Sequence, residues 1–417
     1  MRTIKRFGMD RRGAVAPIFG LMLLPLIGLA GAAVDYGRAA DTQAALMRAI
    51  DATALLLVKQ PRTTDAGTLN RIAQRAFPGF LETKFAAELS SVTVTRTDRD
   101  VTVSAAGRVP NAFMQLFRKP ETPIAATATA AWSETRIEIA LVLDNTGSMA
   151  DLIGGQRKID ALKRAATDLI SDLQTYATDT NAVRVSIVPF DTEVRIDPNL
   201  YRNASWIDWA SLTGGATAAT WTGYLVDRPQ PYNIQNDAPV LAIRPTLYPP
   251  LPNGGSAYGG LTIASVRPMT SLATSALDVK AAIQSMQPRG NTNISLGMSW
   301  GTATLTGSVP LGGPSVNDTR TLKRFIVLLT DGDNTAGWRN GAPTSNVGYL
   351  DSQTQLACQT ARANAEVFTI RLLAGNVNLL RGCASKPENY FDVQNGGQLT
   401  NAFKSILNAI TGTRLTN

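Results

Sequence analysis

Oxygen-bearing side chains follow an apolar segment that begins the longer, C-terminal part of the chain. Residues 137–143 are apolar apart from one Glu, and their branched side chains are typical of a strand buried on both faces of a parallel sheet. Asp144, Thr146 and Ser148 follow at alternating positions. Ligands of open α/β sheets bind at the carboxyl ends of the strands, where these side chains would lie. One carboxylate and two hydroxyls suit a hard cation such as Mg²⁺, which prefers oxygen ligands.

Two further oxygen donors occur downstream, each beside a predicted element. Thr292 precedes a helical segment at 294–305, and Asp331 follows a second buried-strand segment at 324–330. Asp, Thr and Ser after a strand also commonly cap the next helix, so the first three residues alone leave that alternative open. The five residues together favour a cation site.

This pattern resembles the metal-ion-dependent adhesion site of the von Willebrand factor type A domain. That motif is Asp-x-Ser-x-Ser, completed by a distant Thr and Asp, and its roles would fall on Asp144, Thr146, Ser148, Thr292 and Asp331. Thr146 stands where Ser is usual but offers the same hydroxyl. The resemblance implies an α/β fold with a doubly wound, mostly parallel, Rossmann-like sheet. It also implies a bound Mg²⁺ (or Ca²⁺ or Mn²⁺) with one position open to a carboxylate from a protein partner.

The N-terminus predicts a membrane anchor. Residues 14–34 contain no charged side chain, and 21 residues at about 1.5 Å each span a hydrocarbon core of roughly 30 Å. Residues 1–13 form a basic tail with a net charge of +4, which the positive-inside rule keeps in the cytoplasm. This tail supplies half of the chain's formal charge of +8, so we expect no nucleic-acid partner. A signal peptide cleaved at residues 30–32 is the alternative. The apolar run is long for one, and a helical pattern continues over 35–60 to Pro61.

The segment from Arg12 to Arg38 resembles the N-terminus of TadG-like proteins of the Tad/Flp pilus-assembly system, over roughly residues 11–60. Related pseudopilins are cleaved after a Gly that has a Glu five residues on. Ile18 occupies that position relative to Gly13, so we do not expect this cleavage. The resemblance implies a single-pass inner-membrane protein of pilus assembly or secretion. Its C-terminal domain would be periplasmic, and its partners would be other pilus-assembly components. A surface adhesin released by cleavage is the alternative.

Residues 35–135 predict a pilin-like spacer that combines a helix with a small sheet. The helical continuation to residue 60 places seven residues near one face: Ala39, Ala40, Leu46, Met47, Ile50, Ala54 and Leu57. A second helix is predicted over 62–90, with Phe77, Phe80, Leu81 and Phe85 as buried positions. Strands are predicted at 91–95, 101–105 and 125–132.

Residues 136–417 alternate strands with helices, which predicts a parallel sheet covered on both faces. The strands are 137–143, 183–190, 324–330, 366–373 and 390–394, and the helices are 157–177, 275–286, 294–305, 351–364 and 397–410. An insertion at about 195–270 does not follow this alternation of strands and helices. Its aromatic residues could form a recognition surface or a small core of their own: Trp206, Trp209, Trp221, Tyr224, Tyr232, Tyr248 and Tyr258.

Cys358 and Cys383 are the only cysteines. In an oxidising compartment such a pair predicts one disulfide, and two unrelated buried thiols are the alternative.

The absence of histidine from the sequence excludes Ser-His-Asp and Cys-His nucleophile systems and His-ligated zinc. A magnesium-dependent phosphatase remains, with Asp144 as nucleophile and Asp331 and Asp333 holding the ion. Such enzymes typically need a second Asp where Thr146 stands. We therefore expect metal-dependent binding without catalysis. In a purely structural alternative, the metal would only stabilise the fold.

Overall fold

The computed structural model describes residues 15–61, 64–81, 85, 87–97, 99–132, 135–252, 262–306, 310–311 and 320–412. The chain divides into two compact units, Met1–Trp132 and Ser133–Asn417.

The first unit begins with a single 43-residue helix, α1, Val15–Leu57, which continues through Pro25. Within the described residues, Phe19–Leu57 is the stretch long and apolar enough to cross a membrane. Side chains of its first half are largely exposed, whereas Leu46, Ile50 and Leu57 in the second half are fully buried. The N-terminal half of α1 is thus apolar and exposed, and its C-terminal half belongs to the core of the first unit.

Two residues assigned from the sequence to the buried face of α1 lie outside it. Met47 is 38% exposed, and Ala40 is exposed as well. Ala45 and Ala49 are buried instead. The buried stripe is therefore made of small residues between the large ones, which allows the helix to lie close to the sheet.

The rest of the first unit is a short helix and a three-stranded sheet. They comprise α2, Ala66–Phe80; β1, Glu88–Arg96; β2, Asp100–Pro110; and β3, Glu121–Ala131. The strands pair antiparallel in the order β1-β2-β3. The predicted helix at 62–90 was too long, because residues from 88 onward pair with β2 and extended backbone at Leu81 ends α2. Phe77 is buried as expected, but Phe80 is 40% exposed.

The second unit is built on a six-stranded sheet. Its strands are β4, Thr135–Asp144; β5, Val183–Phe190; β6, Arg267–Ser271; β7, Thr321–Thr330; β8, Glu366–Leu372; and β9, Tyr390–Val393. Their spatial order is β6-β5-β4-β7-β8-β9. Only β6 runs antiparallel to its neighbour. The strand order therefore reverses between β4 and β7.

Helices cover both faces of this sheet. They are α3, Lys158–Gln174; α4, Leu272–Gln284; α5, Ile294–Leu305; α6, Val347–Asn364; α7, Val377–Cys383; and α8, Gly396–Gly412. Successive strand side chains point to opposite faces. Leu141 and Leu143 accordingly pack in a core with α3, α4 and α8, whereas Ala140 and Val142 pack in another with α5, α6 and α7.

Smaller elements lie in the connections. They are a four-residue helix, Pro198–Tyr201, and three antiparallel strand pairs: Leu152–Ile153 with Gln156–Arg157, Val194–Arg195 with Tyr224–Leu225, and Gly337–Arg339 with Ala342–Thr344.

Four aromatic residues of the insertion pack together, as the second alternative expected, but they belong to the core on one face of the sheet and do not form a separate core: Trp206, Trp209, Trp221 and Tyr248. Trp206 packs edge-on against Tyr248 at 5.6 Å, and Trp209 against Trp221 at 5.2 Å between ring centroids. Tyr248 also contacts Trp300 of α5, which joins these rings to the helix that covers this face of the sheet. Tyr258 lies outside the described residues.

The predicted disulfide is present. Cys358 of α6 and Cys383, the last residue of α7, are bonded to each other. The bridge ties together two of the helices on one face of the sheet.

Candidate metal centre

Three loops meet at the carboxyl ends of β4 and β7, where the strand order reverses. The first loop follows β4, the second leads into α5, and the third follows β7. Backbone hydrogen bonds join them. Gly147 N–H donates to the Gly290 carbonyl at 3.0 Å, and Thr335 N–H donates to the Thr292 carbonyl at 2.9 Å. A reversal of strand order opens the crevice in which α/β sheets bind ligands.

Asp144 is held by donors from its own loop and from the neighbouring strand. Its Oδ1 accepts the backbone N–H of Thr146 at 2.7 Å, and its Oδ2 accepts the hydroxyl of Thr330 at 2.6 Å. Both bonds are buried, and Asp144 itself is fully buried. The carboxylate therefore has a fixed orientation.

Two hydroxyl groups of the first loop link that loop to Asp331 in the third. Thr146 Oγ1 and Ser148 Oγ lie 3.1 Å apart, and Ser148 Oγ donates to Asp331 Oδ1 at 2.6 Å. The other oxygen of Asp331 accepts a hydrogen bond from Lys158 Nζ at 2.7 Å. Lys158 is 6% exposed, so this ion pair is buried at the beginning of α3.

Thr292 lies beside the same cluster. A methyl group added at Gly332 would be 3.9 Å from Thr292 Oγ1 and 3.9 Å from Ser148 Oγ. The Thr292 backbone N–H donates to Thr335 Oγ1 at 2.8 Å, which fixes the second loop to the third. All five residues predicted as metal ligands thus lie at one place in the fold.

Burial and a neighbouring carboxylate disfavour the charged form of Asp144. Burial, and next the negative charge of Asp331, raise the pKa of Asp144 to about 6. Hydrogen bonds from Thr146 and Thr330 oppose that rise. The neighbouring carboxylates of Asp144 and Asp331 therefore favour the binding of a positive charge.

The donor set fits a hard divalent cation. It consists of two carboxylates and three hydroxyls, all oxygen, which is the ligand chemistry of Mg²⁺ and Ca²⁺. Asp144, Thr146, Thr292 and Asp331 are all buried, and Ser148 is half-buried. In the described part of the chain, no group of three or more Asp, Glu, Cys or His side chains could hold a metal ion, at this cluster or elsewhere. Any cation here would thus depend on the hydroxyls.

Lys158 and Thr330 contact the two carboxylates but were not identified from the sequence. Thr330 was placed only as the last residue of a strand, and its contact with Asp144 requires β7 to lie beside β4. Lys158 was placed only within a predicted helix. A basic residue at the start of the helix that follows an acidic loop is the signal that was available.

A buried ion-pair network lies next to the first loop and fixes its position. Arg289, which is 2% exposed, donates to Asp191 and to Glu193, both at 2.8 Å. Its backbone N–H donates to the carbonyl of Asn145 at 2.8 Å, inside the first loop. The network therefore links the end of β5 to the loop that carries Asp144.

Comparisons with known proteins identify the N-terminal segment. Residues 13–56 match the family of putative Flp pilus-assembly TadE/G-like proteins. No curated protein matches the chain.

Several solved structures are similar in outline. The pilus adhesin SpaC from Lactobacillus rhamnosus GG has 13% identity and a TM-score of 0.41, over 79% of this chain and 35% of SpaC, so the chain spans about a third of that protein. The vWF domain of the type V pili tip protein Mfa5 from Porphyromonas gingivalis has 11% identity and a TM-score of 0.40, over 67% of this chain and 96% of the domain. Proximal thread matrix protein 1 from the mussel byssus, with a zinc-occupied MIDAS motif, has 14% identity and a TM-score of 0.34, over 66% and 46%. The segment at residues 13–56 is TadE/G-like, as its sequence predicted.

Proposed function

We propose that this chain is a membrane-anchored, periplasmic component of Tad/Flp pilus assembly or secretion that binds a protein partner through a metal-ion-dependent adhesion site. The observation that carries the proposal is the hydrogen bond of Ser148 to Asp331, beside Asp144, where the strand order reverses. The TadE/G-like match of residues 13–56 supports the pilus-related part. The strand order and the helices on both faces support a doubly wound type A fold.

In this proposal Asp144, Thr146, Ser148 and Thr292 hold Mg²⁺, Ca²⁺ or Mn²⁺ directly or through water, and Asp331 completes the set. When bound, the ion supplies a concentrated positive charge that attracts a carboxylate of the partner. Other groups of the chain hold the ligands in place. Thr330 and the N–H of Thr146 orient Asp144, and the backbone bonds between the three loops keep the hydroxyls beside it.

The anchor is the exposed apolar half of α1. It crosses the bacterial inner membrane once, with the basic residues 1–13 in the cytoplasm and the remainder in the periplasm. The disulfide between Cys358 and Cys383 supports an oxidising compartment. Partners are then other periplasmic or surface components of the pilus apparatus.

The domain binds without turnover in this proposal. A phosphatase would need a second carboxylate at the position of Thr146, and Asp333 is exposed in the loop after β7. Hydrolysis of a generic phosphate ester by the magnesium-loaded protein would overturn this part.

Calorimetry on the full chain in detergent micelles tests the metal site. Mg²⁺ added to the wild type should release or absorb heat with a saturable profile, and Asp144→Ala should abolish it. Asp333→Ala is the matched control, because it removes an exposed carboxylate from the same loop as Asp331. Equal heats for the wild type and Asp144→Ala would refute the site.

A further inference from the structure

The loop between β2 and β3, residues 111–120, lies against the apolar half of α1. A methyl group added at Gly28 would be 2.9 Å from Cζ of Phe117, and one added at Gly31 would be 2.6 Å from Cβ of Phe113. At Gly31 only glycine leaves room, because the obstructing atom is next to the backbone, whereas a side chain at Gly28 would displace the ring of Phe117. Gly28 and Gly31 both belong to the uncharged stretch 14–34.

Asp35 fixes this loop to the helix. It is 2% exposed, and its carboxylate accepts the backbone N–H groups of Ala112, Phe113 and Met114 at 2.9, 2.8 and 2.7 Å. Hydrogen bonds to a carboxylate are among the stronger ones in proteins. The first charged residue after the apolar stretch therefore holds the loop at the end of that stretch.

The loop carries large apolar side chains that the first unit does not cover. Leu116 is 80% exposed, Phe117 is 59% exposed and Phe113 is 40% exposed. Arg118 and Lys119 follow directly and are exposed as well. Adjacent exposed side chains of this size are uncommon on a surface that faces only water.

The contacts with α1 set the depth of the loop. Gly28 lies six residues before Val34, which corresponds to about 9 Å along a helix, and Gly31 lies about 4.5 Å before it. Helices that lie in a membrane interface bury their apolar faces by about 5–10 Å at the headgroup boundary. Phe117 and Phe113 are therefore level with the outer part of any bilayer that the stretch 14–34 crosses.

We propose that the β2–β3 loop is a second membrane contact, which inserts Phe113, Leu116 and Phe117 into the periplasmic leaflet beside α1. Arg118 and Lys119 then lie among the lipid headgroups, where basic side chains meet anionic phosphates. The inference rests on the proposed membrane anchoring. It makes the three-stranded sheet of the first unit sit on the bilayer surface at a fixed height.

Fluorescence quenching by spin-labelled lipids tests this contact. The full chain, with a single added cysteine carrying a polarity-sensitive dye, is reconstituted into phosphatidylcholine–phosphatidylglycerol bilayers. The two native cysteines are bonded to each other, so the added thiol is the one that reacts. Leu116→Cys reports the loop, and Leu26→Cys, at a position 62% exposed on α1, reports the anchor. Thr95→Cys, on the exposed face of β1, is the control outside the membrane.

We expect lipids spin-labelled near the headgroup to quench the dye at Leu116→Cys at least about twofold more than at Thr95→Cys. Asp35→Asn should reduce quenching at position 116 without changing it at position 26, because it weakens the hold on the loop. If Leu116→Cys does not fold, Gln115→Cys gives the same readout from the neighbouring exposed position.

The two proposals fail separately. Quenching at Leu26→Cys without quenching at Leu116→Cys overturns the loop contact and leaves the anchor standing. Quenching at neither position overturns the anchor and the loop contact together.

Discussion

Replacing Asp144 with Asn removes a carboxylate that the fold keeps away from water and beside a second carboxylate. Burial, followed by the charge of Asp331, raises the pKa of Asp144 to about 6 from its ordinary value of 3.8. A carboxyl group whose pKa is raised on folding stabilises the folded state at low pH, because the folded state binds the proton more tightly. This contribution is complete below about pH 4 and is lost as pH rises through about 6.

The size of the effect follows from the shift. About two pKa units correspond to about 3 kcal/mol of stability that the metal-free protein loses between pH 4 and pH 6. Asparagine keeps the shape and carries no charge, so Asp144→Asn should avoid this loss. Its carbonyl oxygen can accept the Thr146 N–H, and the Thr330 hydroxyl can turn to accept from its amide nitrogen. At pH 8 in chelator the variant should be more stable than the wild type by up to about 3 kcal/mol, which is roughly 5–10 °C in melting temperature.

Thermal unfolding followed by tryptophan fluorescence measures the difference. Five of the six tryptophans lie in the second unit, so the signal reports the unit that carries the site. The advantage of Asp144→Asn should shrink as pH falls from 8 to 4. Mg²⁺ should raise the melting temperature of the wild type but not of the variant. A variant that melts below the wild type in chelator at pH 8, or a gap that is independent of pH, would refute the reasoning.

Three further substitutions have defined outcomes in the same assay. Lys158→Met leaves the carboxylate of Asp331 buried without its ion-pair partner and should lower the stability in chelator by roughly 3 kcal/mol. Mg²⁺ should then raise the melting temperature more than it does in the wild type, and an unchanged melting temperature in chelator would contradict this. Joint replacement of Cys358 and Cys383 by Ala opens a 25-residue loop and should cost about 3 kcal/mol, whereas reductant should then no longer affect stability. Gly290→Ala adds a Cβ at φ +74° and should cost about 2 kcal/mol and weaken the Mg²⁺ response, although it removes no oxygen donor; a full response would show that the second loop tolerates displacement.

Elements with strong local patterns were predicted closely from the sequence. The strand at 183–190 and the helix at 294–305 have the predicted bounds. Branched apolar residues recur through the strand, and Asn293 caps the start of the helix. The helix predicted at 62–90 was wrong at its C-terminal end. Its last residues pair with β2, where Glu88 lies opposite Arg108, 20 residues later in the sequence. Such strand pairing overrides a local preference for helix.

The candidate site was predictable where its residues form a motif and not where they depend on tertiary contacts. Asp144, Ser148 and Asp331 follow apolar strands in sequence, so their convergence follows from a parallel sheet. Lys158 reaches Asp331 across 173 positions, and no local pattern records that contact. The loop at 111–120 is similar, because its apolar residues are evident in the sequence but their position against Gly28 is not.

The uninterrupted course of α1 has a mechanical consequence. From Leu26 to Leu57 the helix contains no proline, and Leu46, Ile50 and Leu57 are fully buried in the first unit. In the proposed anchoring, a tensile load on the three-stranded sheet would therefore pass along one continuous helix to the residues in the bilayer, with no proline at which the helix could bend. Pulling this helix out of the bilayer and tearing it from its protein core would be two separate failures, and the weaker of them would set the force that the attachment withstands.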